Sequence, residues 1–237
     1  MTAPVETVAY GPHPSQVVDF HRPPGAPART RVTLLHGGFW REAYDRRHLE
    51  PLARALAARG LEVALAEYRR VGGGGGWPET FDDVLQALDT GHGPAARHVV
   101  AGHSAGGHLA LWAAASPRAR IARIDHVVAV APVADLARAR ALGLSSGAVG
   151  ELVDRAQEAG ADPMRLPPPR MPVTLLHGTV DEDVPVDFSR AYARAARAAG
   201  AAVHLAVLDG AGHYEPITPG TPECALLTAA LTGAPPA

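Results

Sequence analysis

Gly102-His103-Ser104-Ala105-Gly106 is the stretch on which the reading of this chain turns. A largely apolar run, 98–101, precedes it, and an alanine-rich segment with helical spacing, 105–115, follows. A serine flanked by glycines where a strand gives way to a helix has the pattern of a nucleophile elbow. The turn is strained, side chains at the flanking positions would clash, and the serine hydroxyl stands exposed. The pentapeptide alone is a modest signal in a chain with 25 glycines, so its context carries the reading. In such a turn the N–H of Ala105 is aimed at a substrate carbonyl oxygen, and the helix N-terminus favours the negative charge that develops there.

Outward from this point, strands and helices alternate. Strands are predicted at 16–20, 32–35, 62–66, 98–101, 127–131, 173–176 and 203–208, with helices at 46–58, 81–88, 105–115 and 188–199. Leu49, Leu52, Ala53 and Leu56 fall on one helical face. The central strand runs are nearly all apolar, as strands covered on both faces are. The pattern therefore predicts an α/β fold, a mostly parallel sheet with helices on both faces. Residues 71–77 hold five consecutive glycines and must form a loop, closed by Trp77-Pro78. Residues 132–172 carry weak helix signals and end in a triple proline. They are expected as a small excursion over the C-terminal edge of the sheet, within one domain of 1–237.

Three further motifs lie at predicted strand ends. His36-Gly37-Gly38-Phe39-Trp40 follows the run 32–35, where an HGGG-type turn supplies an oxyanion N–H. This assigns the donors to the backbone of Phe39 and Ala105, with Gly38 as a further candidate. Trp40 is expected either to line the substrate pocket or to pack beside the turn. After the run 173–176, His177-Gly178-Thr179-Val180 leads into Asp181, the natural acid in the order serine, acid, histidine. Asp183 and Glu182 are its rivals, and Asp187 reads as a helix cap. The last strand runs into Asp209-Gly210-Ala211-Gly212-His213, which can bring His213 back to the serine while Asp181 holds its other ring nitrogen. Most of the 12 histidines must be bystanders. His103 is expected to point away from the elbow, His36 and His177 to bond backbone, and His108 to sit in the following helix.

Composition narrows the alternatives. Hydrophobic residues make up 47 % of the 237, ample for a buried core. A formal net charge of -2 gives nucleic-acid binding no electrostatic support. With Cys224 alone, neither an internal disulfide nor a cysteine metal site is possible, and no H-E-x-x-H pair suggests a metal. The sequence has no lysine, so a Schiff base and a P-loop are both excluded. The glycine run at 72–76 lacks dinucleotide-binding spacing. Residues 1–15 do not read as a signal peptide and no apolar run spans a membrane, so a cytoplasmic location is expected.

Taken together, the motifs resemble the α/β-hydrolase superfamily. More narrowly, they resemble small esterases related to kynurenine formamidase (arylformamidase) and to hormone-sensitive-lipase-like carboxylesterases. The resemblance runs from about Thr30 to Pro216. It rests on HGGFW at 36–40, EYRR at 67–70, Trp77-Pro78 with Asp82-Asp83, GHSAGG at 102–107, APVAD at 131–135, HGTVDEDVP at 177–185 and GAGH at 210–213. In that superfamily the aspartate of an HGxxDxxVP stretch is the triad acid, which favours Asp181 over Asp183. The resemblance implies a cofactor-free hydrolase acting on small esters or aryl formamides through Ser104, His213 and Asp181. Phe39 departs from the alanine or tyrosine found there in formamidases. An α/β-hydrolase-type fold with dead catalytic residues, serving as a binding protein, is the reading from another class. The presence of serine, acid and histidine together weighs against it.

Overall fold

The computed structural model describes residues 5–25, 28–91, 95–118 and 124–233. Residues 1–4 of the stretch read for a signal peptide lie outside these. Eight strands form one sheet: β1 (Glu6–Ala9), β2 (Val17–His21), β3 (Thr30–Leu35), β4 (Glu62–Ala66), β5 (Arg97–His103), β6 (His126–Val130), β7 (Val173–Gly178) and β8 (Val203–Leu208). Their order is β1-β2-β4-β3-β5-β6-β7-β8. The pairings of β1 with β2 and β2 with β4 are antiparallel, and all the others are parallel. The expected α/β architecture is therefore present. β1 is an addition, an exposed four-residue edge strand whose polar and apolar residues show no buried run to read.

The helices are α1 (Glu50–Ala58), α2 (Glu79–Asp89), α3 (Ala105–Ala115), α4 (Leu136–Ala141), α5 (Leu144–Leu152), α6 (Glu158–Ala161), α7 (Asp187–Ala198) and α8 (Pro222–Thr232). Alternate residues of the central strands feed two cores, as the period of two requires. Val99 and Ala101 of β5 pack with Leu52 and Leu56 of α1 and Leu227 and Leu231 of α8. Val100 packs on the other face with α2, α3 and α7. The segment expected as one helix over 46–58 divides in two. Asp45 caps a 3₁₀ turn, Arg46–Leu49, and Pro51 then opens α1, at a position where its missing N–H costs nothing. Asp187 is the first residue of α7 and bonds Arg190 at 3.1 Å, so it is not that helix's cap.

The segment 132–172 folds into α4, α5 and α6 and is tied to α3 by two side chains of that helix. His108 Nε2–H donates to the Ala161 carbonyl and Trp112 Nε1–H to that of Gly160, both at 2.9 Å. Among the described residues no helix is long and apolar enough to cross a membrane.

Helix α3 runs through the middle of the molecule, with every residue from Ala105 to Ala113 buried. Small residues let it come this close to the sheet. A Cβ on Gly106 would stand 2.1 Å from the Leu35 carbonyl oxygen, and one on Gly102 the same distance from the Gly106 carbonyl oxygen. Backbone cannot retreat from such contacts as a flexible side chain can. Gly106→Ala is accordingly expected to lower unfolding free energy by about 3 kcal/mol or more, measured by urea denaturation. A loss below about 1 kcal/mol would show that β3 and α3 can separate without cost.

His108 supplies a second expectation. Burial pushes its ring down to about 4 from the ordinary 6.5. Its Nδ1 is buried without a partner, so a second ring proton would have no acceptor. Between these values the unfolded chain binds the proton and the folded chain does not, so stability falls as pH falls through the window. From about pH 7.5 to about pH 5 the wild type is expected to lose about 2 kcal/mol more than His108→Gln, which keeps a donor and cannot charge. Equal losses in urea titrations of the two proteins would contradict this.

Candidate active site

Loops leaving the C-terminal ends of β3, β5, β7 and β8 surround a cavity of about 650 Å³. This is the end of a parallel sheet at which ligands bind in open α/β folds. Ser104 follows β5 directly and holds φ 56° and ψ -117°, a region L-residues rarely occupy and one that costs about 1–3 kcal/mol. The surroundings enforce it. The Ser104 N–H donates to the Val130 carbonyl at 2.8 Å, and its carbonyl accepts from the His108 N–H at 3.0 Å. Ser104 lines the cavity and is only 2 % exposed. Ala105 opens α3, so its N–H has no acceptor within the helix.

The turn after β3 forms the opposite lip. Gly38, Phe39 and Trp40 all have positive φ, at 104°, 49° and 59°. Among the described residues the N–H groups of Gly38 and Phe39 have no backbone acceptor outside regular elements. Two non-glycine residues in this region require outside support, and the residues just after β4 provide it. Val71 N–H donates to the Trp40 carbonyl at 2.8 Å, and the Tyr68 hydroxyl to the His36 carbonyl at 2.7 Å. His36 Nδ1 lies 2.7 Å from the Gly37 carbonyl oxygen, and Nε2 lies 2.7 Å from Glu67 Oε1. The Tyr68 ring stacks on the imidazole at 4.4 Å. Glu67 is buried, paired with Arg70, and accepts from the Arg46 amide at 3.0 Å. The EYRR motif at 67–70 thus fastens the turn through a buried ionic cluster.

Asp181 and His213, the candidate acid and base, lie together. His213 Nδ1–H donates to Asp181 Oδ2 at 2.6 Å. Asp181 Oδ1 accepts the N–H groups of Asp183 at 2.9 Å and Val184 at 2.7 Å. Burial alone would raise the Asp181 carboxyl, but bonds from His177, His213 and the Val184 amide outweigh it. They hold the group well below the usual carboxylate range. Asp183 lines the cavity instead of supporting the imidazole, which separates it from Asp181 geometrically. Ser104 and His213 share the cavity wall, but no hydrogen bond joins them in this structure. Such contacts are often long before substrate arrives.

The expectations for Trp40 and His103 need correction, and those for His36 and His177 hold with further partners. Trp40 does not reach the cavity. Its side chain is fully buried and lies edge-on to His108 at 5.1 Å, because the positive φ of Trp40 turns it inward under the lip. Phe39 lines the cavity in its place. His103 does not point away. Its ring lies 4.5 Å from that of His213, its Nε2–H donates to the His213 carbonyl at 3.0 Å, and burial keeps it far below the ordinary imidazole range. His36 faces a carboxyl as well as a backbone carbonyl, each 2.7 Å from a ring nitrogen. His177 bonds the Val184 carbonyl, but also Ser189, and its Nε2 lies 3.3 Å from Asp181 Oδ2. Tyr44, Asp45 and His48, from one segment after the turn at 36–40, and Tyr214, beside His213, also line the wall, although no motif marks them. Among the described residues no group of three or more His, Cys, Asp or Glu is placed to hold a metal ion.

Comparison with known proteins agrees with this architecture. The model of a family described as having the α/β-hydrolase fold matches residues 32–215. No curated protein gives a significant sequence match. Among solved structures, a truncated carbohydrate esterase from gut microbiota superposes with a TM-score of 0.82 at 19% identity, covering 98% of this chain and 96% of that one. Esterase B of Lactobacillus rhamnosis, solved with a tributyrin phosphonate, gives 0.81 at 20% identity, with 97% and 86% covered. A thermophilic esterase of the Planctomycetes species Thermogutta terrifontis gives 0.76 at 21% identity, with 96% and 91% covered. At these identities the likeness shows a shared fold. The family match, which spans well over half of the chain and ends two residues beyond His213, shows more: the chain belongs to the α/β-hydrolase fold family.

Proposed function

We propose that this protein is a serine esterase acting on small carboxylic esters, with Ser104 as nucleophile, His213 as general base and acid, and Asp181 as the carboxylate that orients His213. The observation that carries this reading is the junction at one cavity of a serine with φ 56° and a histidine bonded at 2.6 Å to a buried carboxylate. Ser104 Oγ attacks the ester carbonyl carbon while His213 Nε2 takes its proton. The oxyanion of the tetrahedral adduct is met by the N–H groups of Ala105 and Phe39, with Gly38 beside them. The carbon–oxygen bond to the alcohol breaks, and the alcohol leaves with the proton from His213. Water then attacks the acyl-enzyme, His213 takes its proton, and Ser104 recovers that proton as the acid departs.

The esterase names of the fold neighbours favour esters over the aryl formamide N-formylkynurenine.

The expected results are covalent labelling by a fluorophosphonate at Ser104, seen as a peptide mass shift, and a fall of about 10⁴-fold or more in kcat/KM for p-nitrophenyl butyrate in Ser104→Ala. An unlabelled Ser104 in folded protein, or a Ser104→Ala variant that keeps its rate, would overturn the mechanism. The ratio of kcat/KM for N-formylkynurenine to that for p-nitrophenyl butyrate is expected far below one. A ratio far above one would make the protein a formamidase working through the same residues.

A further inference from the structure

His177 is completely buried and sits at the end of β7, four residues before Asp181. Its Nε2 lies 2.8 Å from the Val184 carbonyl oxygen and 3.3 Å from Asp181 Oδ2. Both neighbours are acceptors when Asp181 is ionised, so Nε2 must carry the ring proton. That leaves Nδ1 as a bare acceptor, and the Ser189 hydroxyl, 2.7 Å away at the start of α7, donates to it. Ser189 is itself fully buried, so its proton has no competing water. The tautomer is thereby fixed from both sides. Asp181 Oδ2, which accepts from His213 Nδ1–H at 2.6 Å, has this second imidazole N–H 3.3 Å away, its one proton shared with the Val184 carbonyl.

We propose that His177 is a positioning residue for the reaction. It shares Asp181 Oδ2 with His213, holds the carboxylate in the plane of the His213 ring, and draws off part of the negative charge that His213 would otherwise feel, while Ser189 locks the His177 tautomer. The proposal rests on the triad reading above. Two amides on Oδ1 fix one side of the carboxyl, and the two imidazoles fix the other. A carboxylate held by three hydrogen bonds, with a further imidazole N–H 3.3 Å away, stays ionised and resists rotation, which keeps the base in one orientation through both halves of the reaction.

The consequence has a sign. If the His177 donor is removed, the whole charge of Oδ2 faces His213 and favours its protonated form, so kcat/KM falls off at a higher pH than in the wild type. The other titratable groups around the His213 ring are His103 from the elbow, Asp45 and His48 across the cavity, Asp183 on the acid's loop, and Tyr214 and Glu215 on its own. Substitution at position 177 leaves all of them in place.

Two polar variants of modest size change separate positioning from packing. His177→Gln places an amide donor near the former Nε2 and keeps the bond to Asp181. His177→Asn reaches only as far as Nδ1, so it keeps Ser189 and loses Asp181. The acid limb of kcat/KM for p-nitrophenyl butyrate is expected to move up by about half to one pH unit in His177→Asn and to stay within about 0.2 unit of wild type in His177→Gln. Limbs unmoved in both variants, or moved equally, would overturn the proposal while leaving the triad intact, provided Ser104→Ala is inactive. A Ser104→Ala variant that retains activity would instead remove the reading on which the proposal rests. Should neither variant fold, the wild type decides. Long-range proton–nitrogen correlation spectra are expected to find His177 as the neutral Nε2–H tautomer, and an Nδ1–H tautomer would refute the assignment.

Discussion

The close approach of the first turn of α3 to the end of β3 is the constraint on which the rest of this molecule depends. Gly106 lies so near the Leu35 and His36 carbonyls that no side chain fits, and Gly102 meets the same turn from below. That approach brings the helix N-terminus, the strained Ser104 and the turn at 36–40 to one edge of the cavity. Gly37 lies in the same crowd, its absent Cβ 3.1 Å from Ser104 Cβ. Every distance in the site is measured from this junction. The residues that build it are glycines and alanines because larger ones would push the strand and helix apart.

Around the junction the protein uses buried polar groups as fixings. The Glu67 cluster holds the turn at 36–40, with Arg46 reaching on to Asp19 of β2 at 2.6 Å. The lip of the cavity is thereby tied to the antiparallel edge of the sheet. On the other side Asp181 gathers two amides and two imidazoles. The His103 ring supports the loop that carries His213 through its bond to the His213 carbonyl. Buried carboxylates and imidazoles cost free energy unless their bonds are complete, and here they stand where loop geometry must be held most tightly. Neutral buried histidines such as His103 and His108 make that arrangement sensitive to acid, since the charged form has no place in it.

Much of the fold was legible in the chain. Apolar runs in β3 to β7 and the period of alanine-rich helices carry the parallel sheet, since strands buried on both faces have little choice of residue. Less legible were β1, whose exposed residues show no pattern, and α4 to α6, whose short spans are stabilised by contacts to α3 that lie far away in sequence. The places of Ser104, Asp181 and His213 were readable because each stands at a fixed offset from a strand end. The directions of Trp40 and His103 were not. A side chain's direction at a turn follows from local φ, ψ and from what packs against it, and Trp40 turned inward where a pocket wall was the alternative.

What the sequence by itself determined is the order of elements and the placing of the candidate serine, acid and histidine at strand ends, because hydrophobic period and glycine punctuation are local properties of a chain. The tertiary structure alone decided which groups meet. It brought Tyr44, Asp45 and His48 to the cavity opposite His213, set His213 against Asp181, and took Trp40 out of the site. Those outcomes depend on the angles at which four loops leave one sheet, and no local pattern in a sequence encodes such an angle.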